Sequence, residues 1–184
     1  MTLSKIKNRK EVLAWSFYDF ANQPFTTIIV TFIYSAYFVE VIGRGVGVQG
    51  GSGADFATAL WANAIAISAI IVAVLSPILG AIADNGGFRK FFLIAFTWIC
   101  AVFTMLLYFP VVGEIYFALT LFVVANIAFE MGSVFCNSYL ADLSNNENSG
   151  RVSGFAWGLG FIGGIIALFL SFYMFDLNNP DELR

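Results

Sequence analysis

The stretch FATALWANAIAISAIIVAVLSPILGAIA, residues 56–83, decides the fold because it carries no charged residue over its whole length. The hydrocarbon core of a bilayer is about 30 Å thick, and a helix of roughly 20 residues crosses it. Four more stretches reach that length, and they lie at residues 15–42, 91–109, 115–140 and 152–177. A β-barrel strand would alternate polar and apolar residues, whereas these stretches are predominantly apolar. The sequence therefore predicts an all-α membrane protein with about five transmembrane helices.

The overall composition agrees with this prediction and excludes several classes of site. Hydrophobic residues make up 59% of the chain and charged residues 11%, against about 45–50% and about 25% in soluble domains. The chain has no His, which removes the common zinc sites and Ser-His-Asp triads. Its net charge of −3 is opposite in sign to a nucleic-acid-binding surface. We therefore expect no catalytic residue, no metal site, no cofactor and no nucleic-acid partner.

The distribution of basic residues predicts which side of the membrane each loop faces, because cytoplasmic loops carry the excess of Lys and Arg. A cytoplasmic N-terminus places seven basic residues inside, namely Lys5, Lys7, Arg9, Lys10, Arg89, Lys90 and Arg151. It leaves two outside, Arg44 and Arg184. We therefore expect a cytoplasmic N-terminus and an external loop at residues 46–55, which are rich in Gly and Ser.

Polar residues inside the fourth stretch form a pattern that lipid does not tolerate. An acidic residue at the centre of a lone helix costs about 2.5–3.5 kcal/mol on insertion scales, and Glu130 lies close to that centre. Asn126, Glu130, Ser133 and Asn137 recur at the spacing of one α-helical face. This face is predicted to lie against water or another helix.

The first stretch carries a second polar patch near its cytoplasmic end, made of Asp19, Asn22, Gln23, Thr26 and Thr27. Pro24, inside this patch, lacks a backbone donor and is expected to kink or locally unwind the helix. A signal peptide is the alternative interpretation of the basic start and apolar run. However, the run is about twice the length of a signal core and begins with these polar residues.

Both polar patches allow two interpretations. One is a path for a solute or cation, shared by the first and fourth helices, with freed carbonyls and polar side chains as ligands. Its residues are Asp19, Asn22, Gln23, Asn126, Glu130 and Asn137. The other is hydrogen bonding between helices, worth about 0.6–2 kcal/mol for each contact. In the second stretch, Asn63, Ser68 and the pair Ser76–Pro77 are interpreted as packing residues and a kink.

Glycines in the fifth stretch recur at the spacing that allows two helices to approach closely. They form two pairs, Gly154 with Gly158 and Gly160 with Gly164. Static packing against a neighbouring helix is the favoured interpretation, and a sliding gate is the alternative.

The segment GAIADNGGFRK, residues 80–90, predicts a tight cytoplasmic turn between the second and third helices. It resembles the loop signature of the major facilitator superfamily. Gly80, Asp84, Gly87 and Arg89 match that signature at its spacing, while Asn85 departs from the usual basic residue. The resemblance implies that these four matching residues belong to an inner gate that locks two halves of a transporter together.

Two further motifs narrow the resemblance to the vacuole-effluxer branch of that superfamily. WSFYDFANQPF at residues 15–25 resembles the opening W-x-x-Y-D-[WF]-A-N of this branch. NSYLADL at residues 137–143 and RVSGFAWGLGFIGG at residues 151–164 resemble its passage from the fourth to the fifth helix. The branch includes fungal vacuolar amino-acid effluxers and bacterial permeases. The resemblance implies a twelve-helix permease with two six-helix halves that works by alternating access.

The expected function is secondary active transport of a small polar solute, with amino acids as the class that the resemblance implies. Glu130 is the candidate site for a coupling proton or other cation. Five helices are fewer than one half of such a permease, so we expect an N-terminal piece that requires the missing C-terminal half or a partner chain. The expected location is the inner membrane of a bacterium or the vacuolar membrane of a fungus.

Two alternatives come from other functional classes. A membrane-embedded structural or assembly subunit would use the glycine-rich fifth helix to bind a partner. A membrane enzyme would be built on Asp19, Glu130 and Asp142, but the sequence has no cysteine pair, phosphate-binding loop or nucleophile elbow to support one.

Overall fold

The computed structural model describes residues 9–45, 53–145 and 147–174. Within these ranges every regular element is helical, which confirms the all-α prediction. The α-helices are α1 (Arg9–Pro24), α2 (Tyr34–Glu40), α3 (Gly53–Gly86), α4 (Arg89–Leu106), α5 (Ile115–Ser138), α6 (Leu140–Leu143) and α7 (Ser149–Met174). A π-helix at Phe25–Phe32 follows α1, and a short 3-10 helix at Ile42–Gly45 follows α2.

In the described ranges, four helical segments are long and apolar enough to cross a membrane. They are Gly53–Gly86, Arg89–Leu106, Ile115–Leu143 and Ser149–Met174. Their ends fall within about one turn of the predicted stretches, except that residues 175–177 lie outside the described part. The chain is an integral, multi-pass membrane protein.

Helical structure begins earlier than expected, inside the segment that was predicted to be an external loop. Of residues 46–55, the last three belong to the first turn of α3, and residues 46–52 lie outside the described part. Asp55 lies in that first turn, where a negative charge is stabilised by the helix dipole. The basic residues Lys5 and Lys7 of the orientation argument also lie outside the described residues.

The first predicted stretch is a broken helix rather than a continuous one. The α-helix ends at Pro24, a π-helix follows directly, and a bend at Ile33 separates it from α2. Proline cannot donate to the carbonyl four residues earlier, so the regular hydrogen-bond pattern of the α-helix is interrupted where the sequence predicts. The wider turn is visible at Thr31, whose hydroxyl donates to the Thr26 carbonyl five residues back at 2.9 Å.

The chain divides into two compact units. The first consists of Met1–Phe32 and Cys136–Arg184, and in its described part α1 packs against α7. The second is Ile33–Phe135, which contains α2, α3, α4 and most of α5. The core of the second unit near the α3–α4 turn is formed by Ala83, Met131 and Phe135.

The α3–α4 turn is closed by a Schellman motif. The Phe88 amide donates to the Ala83 carbonyl at 3.0 Å, and Gly87 has a positive φ of 68°. This bond satisfies one of the carbonyls that the end of a helix leaves without a partner. Gly87, one of the glycines that the sequence assigned to the turn, therefore has a structural role in it.

Replacing Gly87 with alanine is expected to lower the free energy of unfolding by about 1 kcal/mol, because a side chain disfavours the left-handed conformation. Gly80→Ala is the matched control, since Gly80 lies inside α3 and a Cβ there would meet no atom within 4 Å. That control is expected to raise the stability by up to about 1 kcal/mol. Denaturant titration in detergent micelles measures both, and equal effects would contradict the turn geometry.

Candidate functional site

In the first unit, the polar residues of α1 lie against glycines of α7. The Asp19 carboxylate lies 3.3 Å from the position that a Cβ on Gly160 would occupy. One and two turns further on, Gln23 and Thr27 approach Gly164 in the same way, with the Thr27 hydroxyl oxygen 2.6 Å from the corresponding Cβ position. The absence of side chains on α7 thus makes room for the polar face of α1.

Of the three buried glycines of α7, Gly163 has the tightest surroundings, because a methyl group there would overlap the Phe20 carbonyl oxygen of α1. Phe20 lies four residues before Pro24, so its carbonyl would accept a hydrogen bond from residue 24 in a regular α-helix. Proline has no backbone N–H to donate to it. Contacts between a carbonyl oxygen and a Cα–H group are common where helices approach closely. Pro24 on α1 thus leaves the Phe20 carbonyl without its helical donor, and Gly163 on α7 leaves room for this carbonyl.

The two predicted glycine pairs have different surroundings. Gly160 and Gly164 are buried against α1, together with Gly163. Gly154 and Gly158 are exposed, and a Cβ at either position would meet no atom within 4 Å. Within the first unit, the described packing of α7 on α1 therefore involves the second pair.

The C-terminal end of α5 is bonded to α1 by a tryptophan. The Trp15 indole nitrogen donates to the Cys136 carbonyl at 2.8 Å. Asn137, the last member of the predicted polar face, is exposed beside this bond, and Asn22 on α1 is half-buried. Trp15 is thus a positioning contact of the first unit, and no pattern in the sequence indicated its partner.

In the second unit, α3 and α5 contact each other at three points, in the same chain direction. The rings of Trp61 and Phe122 have centroids 3.9 Å apart. Further along, Ser68 contacts Asn126, and the Ser76 hydroxyl lies 3.6 Å from the sulfur of Met131. Residue numbers rise together on both helices, so these contacts form successive layers of one interface.

The Ser68–Asn126 layer is a buried hydrogen bond. The Asn126 side-chain nitrogen donates to the Ser68 hydroxyl oxygen at 2.7 Å, and the two residues are 5% and 0% exposed. Asn126 was predicted to line a solute path, while Ser68 was interpreted as a packing residue. The bond shows that both residues join α3 to α5, and that Ser68 fixes the position of a predicted site residue.

Glu130 follows Asn126 by one turn and is exposed, in contrast to its neighbour Met131, which is fully buried. In the part of the chain that the structure describes, the Glu130 carboxylate has no hydrogen-bond or ion-pair partner. A carboxylate near the middle of an apolar helix requires water or a polar partner. This residue is therefore the feature of α5 that packing within the second unit does not account for.

The predicted inner-gate residues lie together at the α3–α4 turn. The Arg89 Nε atom and the Asp84 Oδ1 atom form an ion pair at 2.7 Å, with side chains 33% and 60% exposed. Exposed pairs of this kind contribute about 0.2–1 kcal/mol. The pair therefore stabilises the turn only weakly, and its role in a gate stays a prediction.

The structure places the six predicted path residues in two groups. Asp19, Asn22, Gln23 and Asn137 belong to the first unit, and Asn126 and Glu130 belong to the second. A path shared by both groups stays a prediction. Sequence reasoning placed Thr27 in the polar patch and interpreted Ser68 as a packing residue, but it did not predict their partners, and it placed Gly163 in neither glycine pair. Their polarity and small size were visible, but their partners lie on other helices.

The sequence matches the protein family described as "Vacuole effluxer Atg22 like" over residues 7–182. The chain belongs to this family. It is also 32% identical over 163 residues to YxiO of Bacillus subtilis (strain 168), described as an uncharacterized MFS-type transporter. The aligned region is 88% of this chain and 37% of that relative. No solved structure matches the chain.

Membership in this family confirms the resemblance to the major facilitator superfamily and to its vacuole-effluxer branch. The match extends from before α1 to beyond α7, so it includes both polar patches and the α3–α4 turn. The chain spans little more than a third of the length of the curated relative that it matches.

Proposed function

We propose that these helices form part of the transport path of a secondary active transporter that moves a small polar solute by alternating access. The observation that carries the proposal is Glu130, an exposed carboxylate without a partner in the described chain, on a long apolar helix. Charged residues at such positions are found in solute paths and proton relays. Family membership supports a transporter rather than an enzyme.

The finer parts of the proposal rest on resemblance. Amino acids are the proposed solute class, and a proton or another cation bound at Glu130 is the proposed coupling ion. The pair Asp84–Arg89 is proposed to act in an inner gate. Because the curated relative is much longer than the aligned region, we also propose that further helices complete the path.

The test is flux through the complete gene product in proteoliposomes, with a mixture of radiolabelled amino acids and an imposed pH gradient. We expect uptake or efflux that saturates, and that falls about tenfold or more in Glu130→Gln, because the amide cannot exchange a proton. Glu114→Gln is the control, since Glu114 lies in the α4–α5 loop, where its carboxylate accepts from the Val111 amide at 3.1 Å. This control is expected to leave the flux unchanged.

Two outcomes would count against different parts of the proposal. Absence of any saturable flux from the complete gene product would contradict the transport function. Normal gradient-driven flux in Glu130→Gln would retain transport and remove Glu130 as the coupling site.

A structural or assembly subunit is the second candidate function, favoured by the exposed pair Gly154 and Gly158 on α7. Small residues at this spacing allow a helix of another chain to approach closely. Co-purification of one membrane partner in fixed ratio, lost in Gly158→Leu, would support it. Purification of the gene product without such a partner would contradict it.

A further inference from the structure

The α4–α5 loop, residues 107–114, has an apolar surface. Four of its side chains are more than half exposed, namely those of Tyr108, Phe109, Val111 and Val112. Its one charged residue is Glu114. The turn at the other end of α4 differs, because it carries Asp84, Arg89 and Lys90. Exposed apolar patches of this kind mark surfaces that contact a membrane or another protein.

The backbone of this loop is hydrogen-bonded within the second unit. The amides of residues 107–109 donate to carbonyls in the last turn of α4 at 3.1–3.2 Å. The Val111 amide donates to the Glu114 carboxylate at 3.1 Å, and the Glu114 amide donates back to the Val111 carbonyl at 3.0 Å. The Gly113 amide donates to the Ile42 carbonyl at 3.1 Å, which attaches the loop to the 3-10 helix.

Two residues of the loop remain in this account of backbone donors. Pro110 has no amide hydrogen, and the Val112 amide has no acceptor in the described chain. In hydrocarbon, each backbone group without a partner costs several kcal/mol. Because the other donors of the loop are already paired, this cost does not keep its apolar side chains out of lipid.

The length of α4 determines how deep the loop lies. This helix has 18 residues and begins with Arg89 and Lys90, so it is about 27 Å long. The hydrocarbon core is about 30 Å thick, and long basic side chains at a helix end reach for the headgroups. The far end of α4 is then still inside the core, and any tilt shortens its reach further. The loop therefore starts at or below the far surface of the hydrocarbon.

We infer that the tip of the α4–α5 loop, residues 109–112, is inserted in the bilayer where acyl chains meet headgroups, in the leaflet opposite the α3–α4 turn. Its partner is phospholipid. The apolar side chains of the tip contact acyl chains, and the Val112 amide donates to a lipid ester carbonyl. Tyrosine is enriched at this depth, and Tyr108 and Tyr116 flank the tip with side chains 76% and 75% exposed. The inference is independent of the proposed function.

The test measures the surroundings of Val112 in the complete gene product, reconstituted in phosphatidylcholine liposomes. A nitroxide is attached to Val112→Cys in a background whose native cysteines are replaced with serine. Electron paramagnetic resonance compares its collisions with oxygen, which concentrates in lipid, and with a nickel complex, which stays in water. Asn85→Cys in the α3–α4 turn is the water control, and Val102→Cys on the exposed face of α4 is the lipid control.

We expect the ratio of oxygen to nickel collisions at Val112 to be several-fold higher than at Asn85 and to approach the ratio at Val102. A ratio equal to that at Asn85 would place the tip in water. Collisions with neither reagent would mean that another protein segment covers the tip. Either of these two results would overturn the inference.

The contribution of the backbone bonds is tested by Glu114→Ala, which leaves the Val111 amide without its acceptor. Such a donor is costly away from water, so the ratio at Val112 is expected to fall toward the value at Asn85. Glu114→Gln removes the charge but keeps an acceptor oxygen, and it is expected to retain the ratio. An unchanged ratio in Glu114→Ala, or an equal fall in both variants, would contradict this role of the Glu114 carboxylate.

Discussion

Replacing Gly163 with alanine is expected to lower the free energy of unfolding by about 2 kcal/mol. The new methyl group would overlap the Phe20 carbonyl oxygen, so α1 and α7 would have to move apart. Overpacking of this kind costs about 1–3 kcal/mol, and contact with backbone favours the upper end because it cannot rotate away. Alanine gains about 1 kcal/mol over glycine in helix propensity, which reduces the net loss without reversing it.

The matched control is Gly158→Ala on the same helix, where a Cβ would meet no atom within 4 Å. Only the propensity gain remains there, so the control is expected to stabilise the protein by up to about 1 kcal/mol. Gly164→Ala is expected to fall between the two. Its Cβ would approach the Thr27 hydroxyl at 2.6 Å, and that side chain can change rotamer.

Denaturant titration in micelles, followed by helical circular dichroism, ranks the three variants. The packing of α1 on α7 predicts that Gly163→Ala is least stable and Gly158→Ala most stable. If Gly163→Ala and Gly158→Ala were equally stable, the close approach of the Phe20 carbonyl to α7 would be contradicted.

The helices themselves could be predicted because each depends on local sequence. A long apolar stretch must satisfy its backbone internally in a membrane, and the helix achieves this without distant partners. The break at Pro24 was also predictable, since the missing donor is a property of that one residue. The start of α3 at Gly53, before the predicted apolar stretch, was not predicted, since the Gly-Ser-rich segment was assigned to the loop.

The contacts between helices could not be predicted in the same way. Helical periodicity places Gly158 and Gly160 on different faces but does not say which face meets α1. The partner of Asn126 lies 58 residues away on α3, and no local pattern specifies the register between two helices. The polar face of α5 was therefore predicted as a unit, whereas the structure buries Asn126 and exposes Glu130. Ser68 was interpreted as a packing residue because no pattern within its own helix indicated another role.

Replacing Trp61 with alanine is expected to lower the free energy of unfolding by about 3 kcal/mol. Trp61 is 7% exposed and packs between α2 and α5, with ring centroids 5.1 Å from Phe38 and 3.9 Å from Phe122. Removing a buried aromatic ring from a soluble core costs about 3–5 kcal/mol. The lower end is expected here, because lipid and detergent solvate apolar surface well and only packing is lost between membrane helices.

Trp98→Ala separates this packing effect from the loss of an indole ring as such. Trp98 lies on α4 and is 66% exposed, so its replacement is expected to change the stability by less than about 0.5 kcal/mol. Trp61→Phe should recover part of the loss, since a phenyl ring keeps some contact with Phe122. Micelle titration of the three variants distinguishes the causes. Equal losses in Trp61→Ala and Trp98→Ala would mean that the exposed and the packed ring contribute alike. The aromatic layer between α3 and α5 would then not hold the second unit together.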